Sequence, residues 1–269
     1  MRIFADMLQT YRAMHPRTLL FSIGLCFTVA ASAQAFLPPA PFGGEQAVKW
    51  LIEQELRYSA RDLAAEVDGE VELAFTVDTD GSASNVRITR TLSEDSEAEA
   101  RRLLALVRWH PASVGGSALD KNHSLVIPFN LKRYNRARKN EGTTPPPHAA
   151  FPADASLKLY QDQGMDTLAA PLIPKGWKGL PDYFSENLRY PEDARRRDMQ
   201  GKVTAEFVVE TSGSISNLRT INALSGGCDD EAMRLVRSIR WKPAFKAGER
   251  VRCVLKLDVQ FRLDANQRP

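Results

Sequence analysis

Two segments of this chain repeat one sequence pattern at a fixed spacing. The stretch FTVDTDGSASNVR at residues 75–87 returns as FVVETSGSISNLR at residues 207–219, an offset of 132 positions. Laying 56–131 over 188–263 requires no gap, and about a third of the aligned residues are identical. A gapless internal repeat of this length indicates a duplicated domain, so both copies must fold into the same unit.

The apolar residues of the second copy change their period in a set order. Residues 203–209 alternate apolar with polar, which predicts a strand with one buried face, and 215–221 predict its hairpin partner after a glycine turn. Residues 229–241 have helical spacing, and 253–261 alternate again. With a short helix predicted over 190–199, the order is helix, strand, strand, helix, strand.

This order predicts an α+β fold of two tandem two-layer modules, each a three-stranded antiparallel sheet with two helices on one face. The first two strands form a hairpin and the second helix returns the chain to its starting end. The third strand can therefore be antiparallel only beside the first strand, at a sheet edge. We predict domains over 42–132 and 177–264, joined by a basic, proline-rich linker over 133–176. Its first part, KRYNRARKNEGTTPPPH, supports no core, whereas for 153–170 a short helix and a short strand are both open.

The N-terminus predicts export. Basic residues precede the apolar run 18–30, and small residues at 31–33 follow where a signal peptidase would cut after Ala33, with Ala35 as the alternative site. The run is shorter than the roughly 20 residues that span a bilayer. We therefore predict a signal peptide over 1–33 and a periplasmic mature chain. The alternative is an uncleaved inner-membrane anchor, and only then would the chain contact a membrane.

Charge and motifs exclude several function classes. The formal net charge of +3 gives no electrostatic reason to expect a nucleic-acid partner. The four histidines have no metal-ligand spacing, and no nucleophile or phosphate-binding loop stands in a catalytic pattern. We therefore predict that the protein is not an enzyme and has neither a metal nor a cofactor.

Two cysteines, Cys228 and Cys253, remain after the predicted cleavage, both in the second copy. Cys228 begins a predicted helix, and Cys253 lies on the strand face that the helix layer covers. A disulfide is one alternative. Two thiols held apart by the length of the helix are the other. The first copy has Ser96 and Lys121 at these positions, so such a bond is not general to the fold.

The edge strand suggests a function. Unpaired backbone N–H and C=O groups at a sheet edge are a template for an extended peptide, so the geometry predicts binding by strand addition.

The second copy resembles the C-terminal domain of TonB, the periplasmic energy transducer of the Gram-negative envelope. The first copy matches the same pattern but has Ser59 where the second copy has a proline after tyrosine. The residues that carry the resemblance are Tyr190, Pro191, Gly201, Phe207, Gly213, Glu231, Ala232, Trp241, Pro243, Ala244, Gly248 and Phe261.

The resemblance implies that the last strand pairs with the TonB box, an extended segment of outer-membrane receptors, near the tyrosine-proline pair. It implies outer-membrane TonB-dependent receptors or other envelope proteins as partners. Homo-oligomers through the edge strands are a further alternative. The binding residues carried over are Tyr190, Pro191, Arg252, Val254, Lys256, Asp258 and Gln260, with His123 to Phe129 and Tyr58 as their counterparts in the first copy.

Two functions remain open from the sequence. The first is a TonB-like role in transmembrane transport through the edge strand. The second is a periplasmic scaffold or interaction module without energy coupling. A transducer of this family keeps an N-terminal anchor, commonly with a histidine in the span, before a long proline-rich spacer. The apolar run 18–30 contains no histidine and is separated from the first copy by few residues, which argues against energy transduction by this chain but leaves partner binding through the edge strand as the first alternative.

Overall fold

A computed structural model of the protein describes residues 35–140, 147–161 and 164–263. The predicted signal peptide over 1–33 lies outside these residues. Within the described ranges, no helix combines the length and apolar character that a membrane crossing requires.

In the main sheet of the first repeat the strand Gly69–Val77 lies between Ala83–Arg90 and Lys121–Phe129, so the third strand lies beside the first and at the edge, as predicted. Short strands at the start of the chain and between the second and third strands of this sheet form two smaller antiparallel pairings. In chain order the elements are β1 (Phe36–Leu37), β2 (Ala40–Pro41), α1 (Gly44–Glu55), α2 (Ala60–Ala64), β3 (Gly69–Val77), β4 (Ala83–Arg90), α3 (Glu94–Leu106), β5 (Trp109–His110), β6 (Ala112–Val114), β7 (Ser117–Leu119), β8 (Lys121–Phe129) and α4 (Leu131–Asn140).

The core of the first repeat forms because β3 alternates. Its buried residues, among them Leu73 and Phe75, pack against the apolar sides of α1 and α3. Helix α3 begins in a capping box, in which the Ser93 hydroxyl accepts from the Ser96 N–H and the Ser96 hydroxyl accepts from the Ser93 N–H. Such a cap satisfies two N–H groups that the first helical turn leaves unpaired.

The second repeat contains the same core elements, and its sheet has the strand order Ile215–Asn222, Gly201–Val209, Glu249–Phe261, Ala244–Lys246. Two short 3₁₀ helices, Pro147–Ala150 and Gly176–Gly179, precede it. From the end of α4 the further elements are β9 (Leu159–Tyr160), β10 (Ala170–Pro171), α5 (Leu180–Asn187), α6 (Glu192–Arg196), β11 (Gly201–Val209), β12 (Ile215–Asn222), α7 (Cys228–Ser238), β13 (Trp241–Lys242), β14 (Ala244–Lys246) and β15 (Glu249–Phe261).

The two repeats agree even in their irregularities. The pairing of β3 with β8 has the same register as that of β11 with β15, and both hairpins carry bulges at equivalent positions. Asn85 and Asn217 occupy equivalent places with φ of 51° and 52°, a left-handed conformation that asparagine tolerates well. The structure thus confirms the α+β fold of two tandem modules.

The segment predicted as a linker packs against the second repeat through its later part, for which the sequence left a short helix or a strand open. Strand β9 pairs in parallel with β15, β10 pairs with β13, and Ala169 is fully buried in the second core. Helix α4 also occupies the first part of this segment. The cause is the edge of β15, whose backbone groups gain partners when the passing chain adopts an extended form.

The repeats pack against each other through α1 and β12. At the start of α1, Gly43 has φ 74°, and a Cβ atom there would lie 2.1 Å from the Leu218 carbonyl oxygen. Only glycine permits this approach. Beside it, the Phe42 ring lies 4.5 Å from the Arg108 guanidinium and 4.0 Å from that of Arg219. Glu206 lies within ion-pair distance of both arginines.

A buried polar cluster joins the end of α3 to the second repeat. The carbonyl oxygen of Leu106 accepts from Asn217 Nδ2 at 2.9 Å and from Arg252 Nη2 at 3.0 Å. At the end of α1, the Glu55 carboxylate accepts from the Ser212 and Ser214 hydroxyls. These contacts bury residues 216–218 of β12, whose outer face would otherwise meet solvent.

Candidate peptide-binding edge

The backbone of β15 presents hydrogen-bonding groups to the outside of its sheet. The Arg250 N–H donates to the Pro152 carbonyl at 2.8 Å, and the Arg250 carbonyl accepts from the Asp154 N–H at 2.9 Å. Alternate residues of a strand direct these groups to the same side. The same outward register therefore continues through Lys256 and Asp258.

Part of this edge is already occupied. Strand β9 lies parallel to β15 opposite Arg252 and Cys253, and Ala153 forms a bridge with Arg250. Val254 follows directly after this paired stretch and is half-buried. Beyond it, no described residue pairs with the outer side of β15 up to Phe261. The free edge therefore spans residues 255–261, whose outward positions are Lys256, Asp258 and Gln260.

A groove with an apolar wall and a polar rim of Ser185, Asp258, Gln260 and Arg262 runs beside the free edge. It lies between α5 and β15 and has a volume of about 680 Å³. A strand added to β15 would direct every second side chain towards this groove, so one extended peptide would contact both the edge and the groove. The apolar lining residues are Trp177, Leu180, Phe184, Leu188, Tyr190 and Leu257.

Tyr190 is fixed at the far end of the groove. Its hydroxyl donates to the Met199 carbonyl, and its ring packs edge to face on Phe261 at 5.8 Å. Burial raises the pKa of Tyr190, which keeps the hydroxyl protonated as a donor. Pro191 precedes α6 in an extended conformation and lies against Gly227, outside the residues that line the groove.

The outer face of the free edge is polar. Asp258 accepts from the Thr204 hydroxyl at 2.7 Å and from Lys202 Nζ at 2.9 Å. The hydrogen bond from Thr204 makes the larger contribution and that from Lys202 the next in lowering the pKa of Asp258, so this residue is a carboxylate at neutral pH. Gln260 donates to the Gly201 carbonyl, and Lys256 is exposed. This face supplies polar contacts without hindering access to the backbone.

Arg252 does not belong to the exposed surface, and its assignment to peptide binding was wrong. Its side chain is 6% exposed and donates to the Glu210 carboxylate from Nε and Nη2, at 2.7 and 3.0 Å. It also reaches the Leu106 carbonyl in the first repeat. Arg252 is instead part of the contact between the repeats, because its guanidinium pairs with Glu210 and donates to a carbonyl of the first repeat.

Of the two alternatives for the cysteines, the structure has free thiols. Cys228 and Cys253 are both buried and unpaired. Cys228 lies near Tyr190, which contacts Phe261 at the end of β15, whereas Cys253 lies near the start of that strand. The intervening strand is roughly 26 Å long at 3.3 Å per residue, far beyond the reach of a disulfide.

The first repeat has a counterpart of this site. A groove of about 1000 Å³ lies between α1 and β8, and His123 is among its lining residues. Tyr58, the counterpart of Tyr190, is buried 5.5 Å from Phe129 and 4.7 Å from Tyr134, measured between ring centroids. Burial raises the pKa of Tyr58 and lowers that of His123. Both groups are therefore neutral at pH 7.

These two edge-and-groove units coincide with a known domain. The family model described as "Gram-negative bacterial TonB protein C-terminal" matches residues 54–131 and 186–263, together more than half of the chain. The chain belongs to this TonB C-terminal family. Each match covers one repeat, which confirms the tandem duplication of a TonB C-terminal domain.

Among solved structures, a solution NMR structure of the TonB C-terminal domain of Pseudomonas aeruginosa matches with 22% sequence identity. The alignment covers 28% of this chain and 78% of that one, with a TM-score of 0.25. No curated protein matches the chain.

The TonB C-terminal family is a transport-associated, non-enzymatic family of the cell envelope, and membership supports a TonB-like role. Within the described part of the chain, no group of three His, Cys, Asp or Glu side chains could hold a metal ion.

Sequence reasoning missed two parts of the site. The first is β9, whose two residues carry too short a pattern to predict a strand. The second is the wall of the groove built by Trp177 and Phe184, which belong to a segment broken by glycines and proline. Its counterpart α1 is a clear amphipathic helix, so the alignment of the two repeats was the signal that could have identified this wall.

Proposed function

We propose that the second repeat binds an extended peptide segment of an envelope protein by strand addition to residues 255–261. The proposal includes TonB boxes of outer-membrane receptors as ligands and a role in TonB-type transport. The observation that carries it is the outward backbone register of β15 beside a groove with an apolar wall. Strand β9 shows that an extended segment of this chain itself pairs with the same edge.

The family supports this reading because it is a transport-associated family of the envelope. We propose further that the chain acts in the periplasm after cleavage of residues 1–33. Determination of the N-terminal residue of the mature protein tests that step. A mature chain that begins at Gln34 is expected, and a retained N-terminus would contradict it.

A photo-crosslink in cells tests the binding site. A benzophenone amino acid in place of Lys256 projects from the exposed face of the free edge. We expect adducts with outer-membrane receptors, identified by mass spectrometry. Adducts only with a second copy of this chain or with other periplasmic proteins would contradict receptor binding, and would favour a scaffold built on the same fold.

A pair of variants separates backbone pairing from side-chain contact. Lys256→Pro removes one outward N–H, and an edge strand tolerates proline without losing its fold. Lys256→Ala removes the side chain but keeps the N–H. We expect the proline variant to lose the receptor adducts formed by a crosslinker in place of Gln260, and the alanine variant to retain most of them. Equal yields from both would exclude strand addition.

A further inference from the structure

The two grooves are built alike along one wall but differ at one end. Each wall has three apolar residues at helical spacing, and the two sets lie 132 positions apart. The first groove is nevertheless the larger, at about 1000 Å³ against about 680 Å³. It reaches Trp109, whereas the equivalent Trp241 does not line the second groove. The equivalent wall residues are Val48, Ile52 and Leu56 in the first repeat and Leu180, Phe184 and Leu188 in the second.

The side chain of Trp177 fills this end of the second groove. Its ring lies 5.5 Å from that of Trp241, measured between ring centroids, and its indole N–H donates to the Ala169 carbonyl at 3.2 Å. Trp177 thus packs its ring against a second aromatic ring and also has a backbone acceptor for its N–H. The second repeat therefore shows what kind of group this position accommodates.

In the first repeat the same position holds Glu45. Gly44 and Gly176 begin the equivalent helices with φ of 74° and 54°, and the next residue is Glu45 in one repeat and Trp177 in the other. A carboxylate is costly to bury, so the exposed Glu45 does not take the place of the indole ring. The Trp109 recess is the end of the groove that is left open, lined by Pro39, Pro41, Glu45, Trp109 and His123.

The recess also has a counterpart of the hydrogen-bond acceptor. Strand β2 pairs with β5 as β10 pairs with β13, and in each pair a proline lies opposite the tryptophan. Pro39 and Ala169 each lie two positions before that proline, and both are buried. The carbonyl oxygen of Pro39 therefore corresponds to the one that accepts from Trp177.

The rings beside the recess are uncharged. Trp109 and His123 pack edge to face, with 5.0 Å between their centroids. Burial lowers the pKa of His123, so its imidazole is neutral at neutral pH. A ligand in the recess would therefore contact two neutral aromatic rings.

The charged residues of the groove balance one another. Glu53 pairs with Arg133, and Glu70 pairs with an arginine of β4 at 2.6 Å. Glu45 and Lys49 then remain as one charge of each sign. The lining thus gives no electrostatic preference for an anion or a cation. It suits a neutral molecule, as apolar pockets with a few polar groups commonly do.

We infer that the Trp109 recess binds a small neutral aromatic molecule of the indole class, with two fused rings and one N–H donor. Its rings would pack against Trp109 as Trp177 packs against Trp241, and its N–H would donate to the Pro39 carbonyl. The occupant is a free molecule, because the backbone of α1 already occupies the place from which a tryptophan side chain would extend. The inference does not depend on the proposed function, since it involves no backbone pairing with an edge strand.

Indole itself is the probe, and the tryptophans of the protein report where it binds. The chain has four tryptophans, so a ¹⁵N-labelled sample from Gln34 onward gives four indole N–H signals, assigned with single Trp→Phe variants. Added indole should shift the Trp109 signal in a saturable way and leave those of Trp50 and Trp177 in place. No saturable shift at Trp109, or an equal shift at Trp177, would overturn the inference.

A variant that copies the second repeat should close the recess. Glu45→Trp places a tethered indole ring there and should weaken indole binding at least about tenfold, because the tethered ring competes at a high effective concentration. The matched control is Glu94→Trp, since Glu94 is an exposed residue of the first turn of α3 that does not line the groove. The control should bind indole like the unchanged protein. Equal affinities in the two variants would refute the site.

The reverse change should open a second site. Trp177→Ala removes the ring that covers Trp241, and an apolar space of this kind accepts an apolar ligand. Isothermal titration should then give two indole molecules per chain in place of one, and the Trp241 signal should begin to shift. A ratio that stays at one would show that the equivalence of the two positions does not hold.

A second probe distinguishes a free molecule from a side chain of another protein. N-acetyltryptophanamide carries the same ring on a peptide backbone, which would meet α1 at Glu45. It should bind about tenfold more weakly than indole or not at all, because it cannot reach the recess without a steric clash. Equal or tighter binding of this probe would assign the recess to a tryptophan of a protein partner and contradict a small-molecule site.

Discussion

Arg252 donates from Nη2 to the Leu106 carbonyl oxygen at 3.0 Å, which links β15 of the second repeat to the C-terminal end of α3 in the first. The same guanidinium holds the buried Glu210 carboxylate. A cation at a helix C-terminus also complements the partial negative charge of the helix end. The two repeats therefore share a buried charge cluster and act as one packed body.

Arg252→Ala should destabilise the protein by about 3–5 kcal/mol, because it leaves the Glu210 carboxylate buried without its counter-ion. Urea unfolding followed by circular dichroism gives the change in free energy of unfolding. Lys256→Ala, on the exposed side of the same strand, should cost less than about 0.5 kcal/mol. Similar losses in both variants would show that the cluster adds nothing to stability.

Asn217→Ala should lower the free energy of unfolding by about 1–3 kcal/mol more than Asn85→Ala does. Both asparagines have the same left-handed backbone, so that part of the loss is common to the two. Asn217 also accepts from the Arg108 N–H at 2.7 Å and donates to the Leu106 carbonyl. Truncation leaves the Arg108 N–H without this partner and leaves Arg252 as the remaining side-chain donor to the Leu106 carbonyl. Asn85 is exposed and makes only long contacts of 3.4 Å. Equal losses in thermal unfolding would contradict a role for Asn217 between the repeats.

Stability should fall as the pH drops through the range in which His110 and His123 titrate. Burial is the main cause that lowers the pKa of both histidines below 6.5. For His110, the positive charges of the nearby Arg219 and Arg108 lower the pKa further. The folded state favours the neutral imidazole rings. Their contribution to the free energy of unfolding is therefore complete above about pH 6.5, the pKa of histidine in the unfolded chain, and is lost as the pH falls through the lower pKa values of the folded state.

The double variant His110→Gln, His123→Gln should show a smaller drop in the urea midpoint between about pH 7.5 and about pH 5. Burial raises the pKa of Glu210, and this carboxyl group therefore makes stability rise as the pH falls. Glu210 is present in both proteins, so its effect cancels when the two pH dependences are compared. An unchanged pH dependence would show that the histidines do not contribute.

The cysteines should be found as unreactive thiols even after purification under oxidising conditions. Burial raises the pKa of Cys253 to about 11 and raises that of Cys228, so little thiolate is present at neutral pH. Iodoacetamide should modify both residues in urea and neither in the folded protein, as measured by intact mass. A mass that lacks two hydrogens and resists alkylation in urea would establish a disulfide instead.

The sequence predicted the architecture of each repeat because the relevant signals are local. The alternation along β3 and β11 fixes which face is buried, and the glycine turns define the hairpins. The helical spacing of α3 and α7 places the second layer. The position of the last strand beside the first followed from chain direction alone. The residues of the free edge, Lys256, Asp258 and Gln260, could therefore be named in advance.

The alternation that predicts a strand cannot show what covers its outer face. In the sequence, Arg252 is one more polar residue of an alternating strand, yet the Leu106 carbonyl to which it donates lies 146 positions earlier. The short β9 finds its place only because the edge of β15 supplies backbone partners. The repeat and its periods determined the two modules. Contacts between distant segments decided how the modules pack and which edge remains open, because such contacts depend on the geometry of completed sheets and helices.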